Sequence, residues 1–167
     1  NKYKIIMATT IVPSNLIVTI TESYSLNGVD YGNTMNKTYE SNGRVSQRVM
    51  SIEGKGTGDE GVPIVFTDIL ELSTVDGQGQ VVSEDYKYFR ITNLDTVNTL
   101  NLRFYTTGTE YVAVKVLPAS TFLLMDDGLD TPVDGTTALS FADITKIAGQ
   151  SSSVTEAIDV EFVMVTG

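Results

Sequence analysis

Apolar and polar residues alternate along most of this chain. Leu16, Val18 and Ile20 alternate with Ile17, Thr19 and Thr21. Phe89 and Ile91 alternate with Tyr88, Arg90 and Thr92, and Leu100, Leu102 and Phe104 with Asn101, Arg103 and Tyr105. Val112, Val114 and Val116 alternate with Ala113, Lys115 and Leu117. Ile158, Val160, Phe162 and Met164 alternate with Asp159, Glu161, Val163 and Val165. A period of two is the mark of a strand with one face buried, because successive side chains leave opposite faces of the pleat. Val, Ile, Thr, Tyr and Phe suit that half-buried surface.

Between these runs lie Asn27-Gly28, Asn42-Gly43, Asp76-Gly77, Asp127-Gly128 and Asp134-Gly135. Asn or Asp followed by Gly accepts positive φ cheaply and favours tight turns. Many short strands with close turn signals predict an all-β protein, an antiparallel β-sandwich of jelly-roll-like arrangement. No amphipathic run is long enough for a major helix. Residues 138–147 read either as a short helical turn or, from Ile144 to Ala148, as another strand. Gly54–Gly61, with four glycines in eight residues, reads as a surface loop, and Ile64-Val65-Phe66 as the strand after it. A second loop spans Asp126–Asp134.

The expected organisation is a short N-terminal arm, residues 1–12, before a single sandwich domain, residues 13–167. Lys2 and Lys4 followed by Ile5, Ile6 and Met7 imitate a signal peptide, but the apolar run is too short and no small-residue cleavage site follows. The arm reads either as an edge strand added to a neighbour or as a fraying terminus. The chain has 167 residues, which buries roughly two thirds of its surface on folding, enough for one real core.

Composition then narrows the chemistry. Eleven Lys and Arg against 21 Asp and Glu leave a net charge of −10. Duplex binding draws on basic residues, and no basic cluster exists here, so no nucleic acid partner is expected. The same sign disfavours an anionic membrane surface, and no apolar stretch approaches a transmembrane helix. The chain has no His and no Cys. That excludes a Ser-His-Asp triad, imidazole and thiolate metal ligands, thiol nucleophiles and disulfides. No cofactor is expected.

Gly56-Thr57-Gly58-Asp59-Glu60-Gly61 spells G-x-G-x-x-G. The dinucleotide fingerprint needs a helix after it, and two carboxylates would repel phosphate, so the segment reads as a flexible loop. Asp126, Asp127, Asp130 and Asp134 supply oxygens of the kind calcium takes, without EF-hand spacing; ordinary turn chemistry is the competing reading. Eight acids and one base, Lys146, follow from Asp126 onward, which reads as a solvated acidic face. A carboxylate pair could run glycoside hydrolysis, but many pairs would serve and no Trp exists to stack a sugar. No catalytic residue is therefore assigned. Tyr24, Tyr31 and Tyr39 cluster in one segment, and tyrosine, apolar along its body and polar at its tip, serves interfaces as readily as ordinary strand surfaces.

Two segments carry a family resemblance. In Leu16–Met50 a strand leads to Glu22-Ser23, then Leu26-Asn27-Gly28 and Tyr31-Gly32, then a strand with Gln47-Arg48-Val49. From Tyr86 to Leu124, Arg90-Ile91-Thr92-Asn93 precedes a hairpin strand and Lys115-Val116-Leu117-Pro118, with Ala119 where the group has Gly. Together they cover about half of the chain. This pattern resembles small virion structural proteins of tailed bacteriophages, of the capsid auxiliary or decoration type, especially those of marine and cyanobacterial phages. The resemblance implies a virion role, and the leading expectation built on it is a non-enzymatic cement protein on the capsid exterior, a homo-oligomer that binds the major capsid protein lattice and stabilises capsomer joints. The expected contacts are Ile5, Ile6, Ile11 and Val12 of the arm with Tyr24, Tyr31 and Tyr39. The alternatives are a tail or head-fibre component recognising a host surface glycan through the loops at Gly54 and Asp126, and a secreted hydrolase domain using an acid pair.

Overall fold

The computed structural model describes residues 14–59, 64–73, 81–82, 85–106, 110–126, 131–133, 137–139 and 143–167. The expected arm, residues 1–12, lies outside the described residues. Regular structure among the described residues is β throughout. No helix among them is long and apolar enough to cross a membrane. Two compact units follow one another in the chain, the first ending at Gly43 and the second running from Arg44 to Gly167.

The first unit contains β1 (Ser14–Glu22), β2 (Ser25–Leu26), β3 (Val29–Asp30) and β4 (Asn33–Asn42). β1 pairs antiparallel with β4 and β2 with β3. Glu22 opposes Asn33, and Ser25 opposes Asp30. Two residues on each arm separate those pairs, so the register passes the break without a slip. The four strands are thus one long two-stranded ribbon, turning at Asn27-Gly28. Both turn residues have positive φ, 52° and 81°, the requirement of a two-residue type I′ hairpin, which the sequence pair foretells.

The second unit contains β5 (Arg44–Ile52), β6 (Thr67–Ser73), β7 (Val81–Val82), β8 (Tyr86–Asn93), β9 (Leu100–Tyr105), β10 (Tyr111–Val116) and β11 (Thr121–Met125). It continues with β12 (Thr131–Val133), β13 (Thr137–Leu139), β14 (Lys146–Ser151) and β15 (Ile158–Thr166). One sheet has the order β10-β9-β14-β6-β7 and the other β11-β8-β15-β5; β12 and β13 pair as a separate small hairpin. Eight of these strands pair as nested antiparallel couples: β5 with β15, β6 with β14, β8 with β11, β9 with β10. Antiparallel pairing of β15 with β8 and of β14 with β9 completes the two four-stranded layers. Four nested couples split alternately between two sheets are a jelly roll, the arrangement expected from the chain's alternation and turns. β7 adds a short parallel extension beside β6.

The alternating apolar residues meet between the sheets. Phe89 and Ile91 of β8 and Ile158, Val160, Phe162 and Met164 of β15 face Leu100, Leu102 and Phe104 of β9 and Ile147 of β14 in one buried cluster. Phe89 and Phe104 meet edge-on across the gap, centroids 5.9 Å apart at 82°, the geometry an aromatic quadrupole favours. Gly149 also faces this core, and a Cβ there would stand 2.9 Å from Leu100 Cδ1 and 3.0 Å from Ile69 Cδ1. The absence of a side chain at Gly149 is what lets those two residues close over β14.

Two local expectations change. Ile64-Val65-Phe66 is not a strand; β6 begins at Thr67. The backbone of Val65 is held instead by loop and side-chain bonds, donating to Lys55 O at 3.2 Å and accepting from Gln150 Nε2 at 2.7 Å. Of the stretch read as helix or strand, residues 140–142 lie outside the described residues, and the strand that follows is β14, Lys146–Ser151. Its buried Ile147 and Gly149 fit the space between the sheets.

Asn93 fixes one end of the sandwich. It is fully buried, and its Nδ2 donates to Asn98 O at 2.8 Å, Val116 O at 3.2 Å and Leu117 O at 3.3 Å. Its Oδ1 accepts the Asp95 N–H at 3.1 Å. Buried polar groups are costly unless bonded, and this one is saturated.

Candidate functional site

Cross-strand partners in an antiparallel ribbon share a face. The continuous register of the first unit therefore sorts it into two different surfaces. One carries Ile17, Thr19, Thr21 and Ser25 opposite Thr38, Asn36, Thr34 and Asp30. Apart from Ile17 it is hydroxyl and amide, and Thr19 Oγ1 donates to Asn36 Oδ1 at 2.8 Å. The other carries Leu16 with Tyr39, Val18 with Lys37, Ile20 with Met35, Tyr24 with Tyr31 and Leu26 with Val29. It is almost wholly apolar and aromatic, interrupted by Glu22, Asn33 and Lys37.

Burial divides that second face. Leu16, Val18 and Ile20 are half-buried and Tyr39 is buried, with Lys37 Nζ 5.3 Å from its ring centroid. Toward the turn the face opens. Tyr24 is 57% exposed, Leu26 60%, Val29 53%, Tyr31 50% and Met35 45%. Tyr24 and Tyr31 stack, their centroids 5.9 Å apart and planes 14° from parallel. The backbone N–H of Tyr31 donates to Tyr24 O at 3.0 Å, and that of Gly32 to Asp30 Oδ1 at 2.8 Å. These bonds hold the ribbon flat enough for the rings to lie together. Among the described residues β1 and β4 pair with no third strand, and an isolated two-stranded ribbon is marginal in water.

The structure thus brings Tyr24 and Tyr31 into one exposed patch and places Tyr39 in a buried position. Ile5, Ile6, Ile11 and Val12 lie outside the described residues. Leu26, Val29 and Met35 join the patch although sequence reading did not single them out. The signal was present: a two-residue turn at Asn27-Gly28 sets the register, and the register sets the face.

The other candidates are plainer. Of the four aspartates weighed as a cation site, Asp126 follows β11 with φ of 54°, while Asp127, Asp130 and Asp134 lie outside the described residues. Among the described residues no cluster of three metal-ligating side chains occurs. The first part of the G-x-G-x-x-G segment is loop, Gly56 and Gly58 having φ of 72° and 79°. It lies along the turn after β14, with Lys55 N donating to Ser153 O at 2.8 Å and Gly56 N to Val154 O at 3.1 Å. Gly54 must stay small here, since a Cβ would stand 2.7 Å from Val154 O.

Two surface carboxylates are held as anions by their neighbours. Glu161 on β15 accepts from Gln47 Nε2 and pairs with Arg90 Nη2, both at 2.8 Å. The Gln47 bond first, then the Arg90 charge, lower its pKa below the ordinary value. Asp95 accepts the backbone N–H groups of Asn98 and Val97, which lower its pKa in that order. Glu161 thus bridges β5, β15 and β8, and Asp95 shapes a turn. The Tyr88 phenol moves the other way, pushed up by burial despite the nearby Arg90.

No protein-family model matches this chain, and no curated protein matches it either.

Proposed function

We propose that this protein is a non-enzymatic structural component of a tailed-phage virion, a capsid cement protein that binds the major capsid protein lattice and stabilises capsomer joints. The observation that carries the reading is the exposed apolar face of the ribbon, centred on the stacked Tyr24–Tyr31 pair. Two further features support it. Within the second resembling segment the two motifs meet, the Asn93 amide of Arg90-Ile91-Thr92-Asn93 bonding the carbonyls of Val116 and Leu117. Ala119, standing where that group has Gly, adopts φ of 51°, the conformation for which Gly is the usual residue.

Magnitudes set the mode of binding. Burying Leu26, Val29 and Met35 contributes about 1.5–3 kcal/mol each at most, and the tyrosines add more. Association costs about 4–15 kcal/mol before any surplus appears. One ribbon contact is therefore weak, and a stable decoration needs several engaged together. A homo-oligomer on a symmetric lattice provides that through effective concentration.

The test is an averaged electron-microscopy reconstruction of the particle that carries this chain. Density for it at capsomer junctions, with the ribbon against the major capsid protein, is the expected result. Density confined to tail or fibres would overturn the cement reading.

A further inference from the structure

The outer face of the sheet β10-β9-β14-β6 carries a second surface, which the sequence gives no reason to single out. Arg103 of β9 lies there with Cζ 3.9 Å from the ring centroid of Phe66 and 4.0 Å from that of Tyr111. Its Nη1 donates to Tyr105 Oη at 3.3 Å. Among the described residues no carboxylate pairs with it. Arg103 is thus held by two rings and a phenol rather than by an acid.

A groove of about 300 Å³ opens beside it, lined by Phe66, Arg103, Tyr111, Asn101, Lys115 and Gln150 among others, with no acid in its wall. Asn101 opposes Lys115, and Arg103 opposes Ala113, so the two cations belong to neighbouring pairs on one face. Such diagonal neighbours stand roughly 7–8 Å apart. Gln150 spends its Nε2 on Val65 O at 2.7 Å, which fixes Phe66 next door and leaves its Oε1 to the groove. Rings against the guanidinium cover its faces and leave its N–H groups open at the edge. That edge is the part of Arg that takes a carboxylate in plane.

We infer that this groove binds a carboxylate-bearing saccharide of the uronic acid class. Arg103 takes the carboxylate, Lys115 adds attraction, and the amides of Asn101 and Gln150 take ring hydroxyls. Tyr111, 45% exposed, leaves ring surface for the apolar face of a sugar beside those amides, a contact that favours a sugar over an acidic peptide. Arg103 is held before any ligand arrives, so little order is lost on binding. The inference does not rest on the virion reading, and its test needs no particle.

The experiment titrates the intact protein with tetragalacturonate, with its methyl ester, and with tetraglutamate, by calorimetry and by NMR shift mapping. The expected result is saturable binding of tetragalacturonate, at least tenfold tighter than of either other probe, with shifts at Arg103, Tyr111 and Gln150. Arg103→Lys keeps the charge but not the planar edge, and should weaken binding at least tenfold. Lys115→Gln, at an exposed edge-strand position, should weaken it several-fold with the fold intact, and serves if the Arg103 variant fails to fold. Absence of saturable tetragalacturonate binding, or equal binding of the ester, overturns the site. Equal binding of tetraglutamate overturns the saccharide assignment, and so does full affinity in both variants.

Discussion

Tyr24 and Tyr31 face one another across the ribbon as a directly opposed, stacked pair, each at least half exposed. Aromatic pairs add about 0.5–1.5 kcal/mol beyond the area they bury, so the pair stiffens the ribbon where it has fewest backbone bonds. It also presents two rings and two hydroxyls to whatever covers them.

Replacing both tyrosines by serine should lower binding to particles stripped of this protein by tenfold or more. The thermal midpoint of the jelly roll, read by calorimetry, should stay where it is, because neither ring belongs to that core. Co-sedimentation unchanged by the double substitution would remove the ribbon from the interface.

Asn93→Ala should be among the most damaging polar substitutions. It removes the bonds to the carbonyls of Asn98, Val116 and Leu117 and from the Asp95 N–H; Leu117 O keeps the Ser120 N–H at 3.2 Å, and each buried group left unsatisfied costs about 1–3 kcal/mol. A loss of about 3 kcal/mol or more in urea unfolding is expected. Asn93→Asp should do no better, since a carboxylate would face the same carbonyls.

Ala119→Gly should stabilise. A left-handed conformation costs an L-residue about 1–2 kcal/mol, against about 0.5–1 kcal/mol of extra backbone entropy that Gly loses on folding. The net gain is about 0.5–1 kcal/mol, visible as a higher denaturation midpoint with an unchanged slope. Ala119→Val should move the midpoint the other way.

Gly149→Ala should destabilise by about 1–3 kcal/mol through overpacking, because the added methyl meets Leu100 and Ile69 inside the closed core. Pairing it with Leu100→Ala, which vacates that space, should recover part of the loss; strict additivity of the two changes would contradict the contact.

The acid limb of stability should depend on Glu161 and Asp95. Their folded-state pKa values lie below the ordinary 4.5 and 3.8. For a carboxylate shifted down, the unfolded chain binds the proton first. Its contribution is then complete above the unfolded value and lost as pH falls through the folded one. Glu161→Gln should flatten the fall of the thermal midpoint below about pH 4.5, with little change at neutral pH, since exposed pairs are worth little. An unchanged acid limb in both Glu161→Gln and Asp95→Asn would show that these bonds do not form in solution.

Much of the fold is legible in residue order because strand alternation and turn chemistry are local. Leu100-Asn101-Leu102-Arg103-Phe104 announces both a strand and its buried face, since pleating sends every second side chain to one side. Asn27-Gly28 announces a two-residue hairpin, since both residues must accept positive φ, and with it the opposed pairs up to Leu16 and Tyr39. The ribbon face was within reach on those grounds. What only the tertiary structure decided is which strands become neighbours. Leu16–Thr21 and Leu100–Tyr105 alternate alike, yet the first pairs with β4 in a ribbon and the second lies inside the jelly roll. The couples that make the jelly roll join segments as distant as Arg44–Ile52 and Ile158–Thr166, and no local preference encodes such a partner. The Arg103 groove has the same origin. Phe66, Arg103, Tyr111 and Gln150 come from a loop and three separate strands, and only the order β10-β9-β14-β6 sets them side by side. Alternation is a property of one strand's backbone geometry, whereas a binding surface arises where several strands share a face.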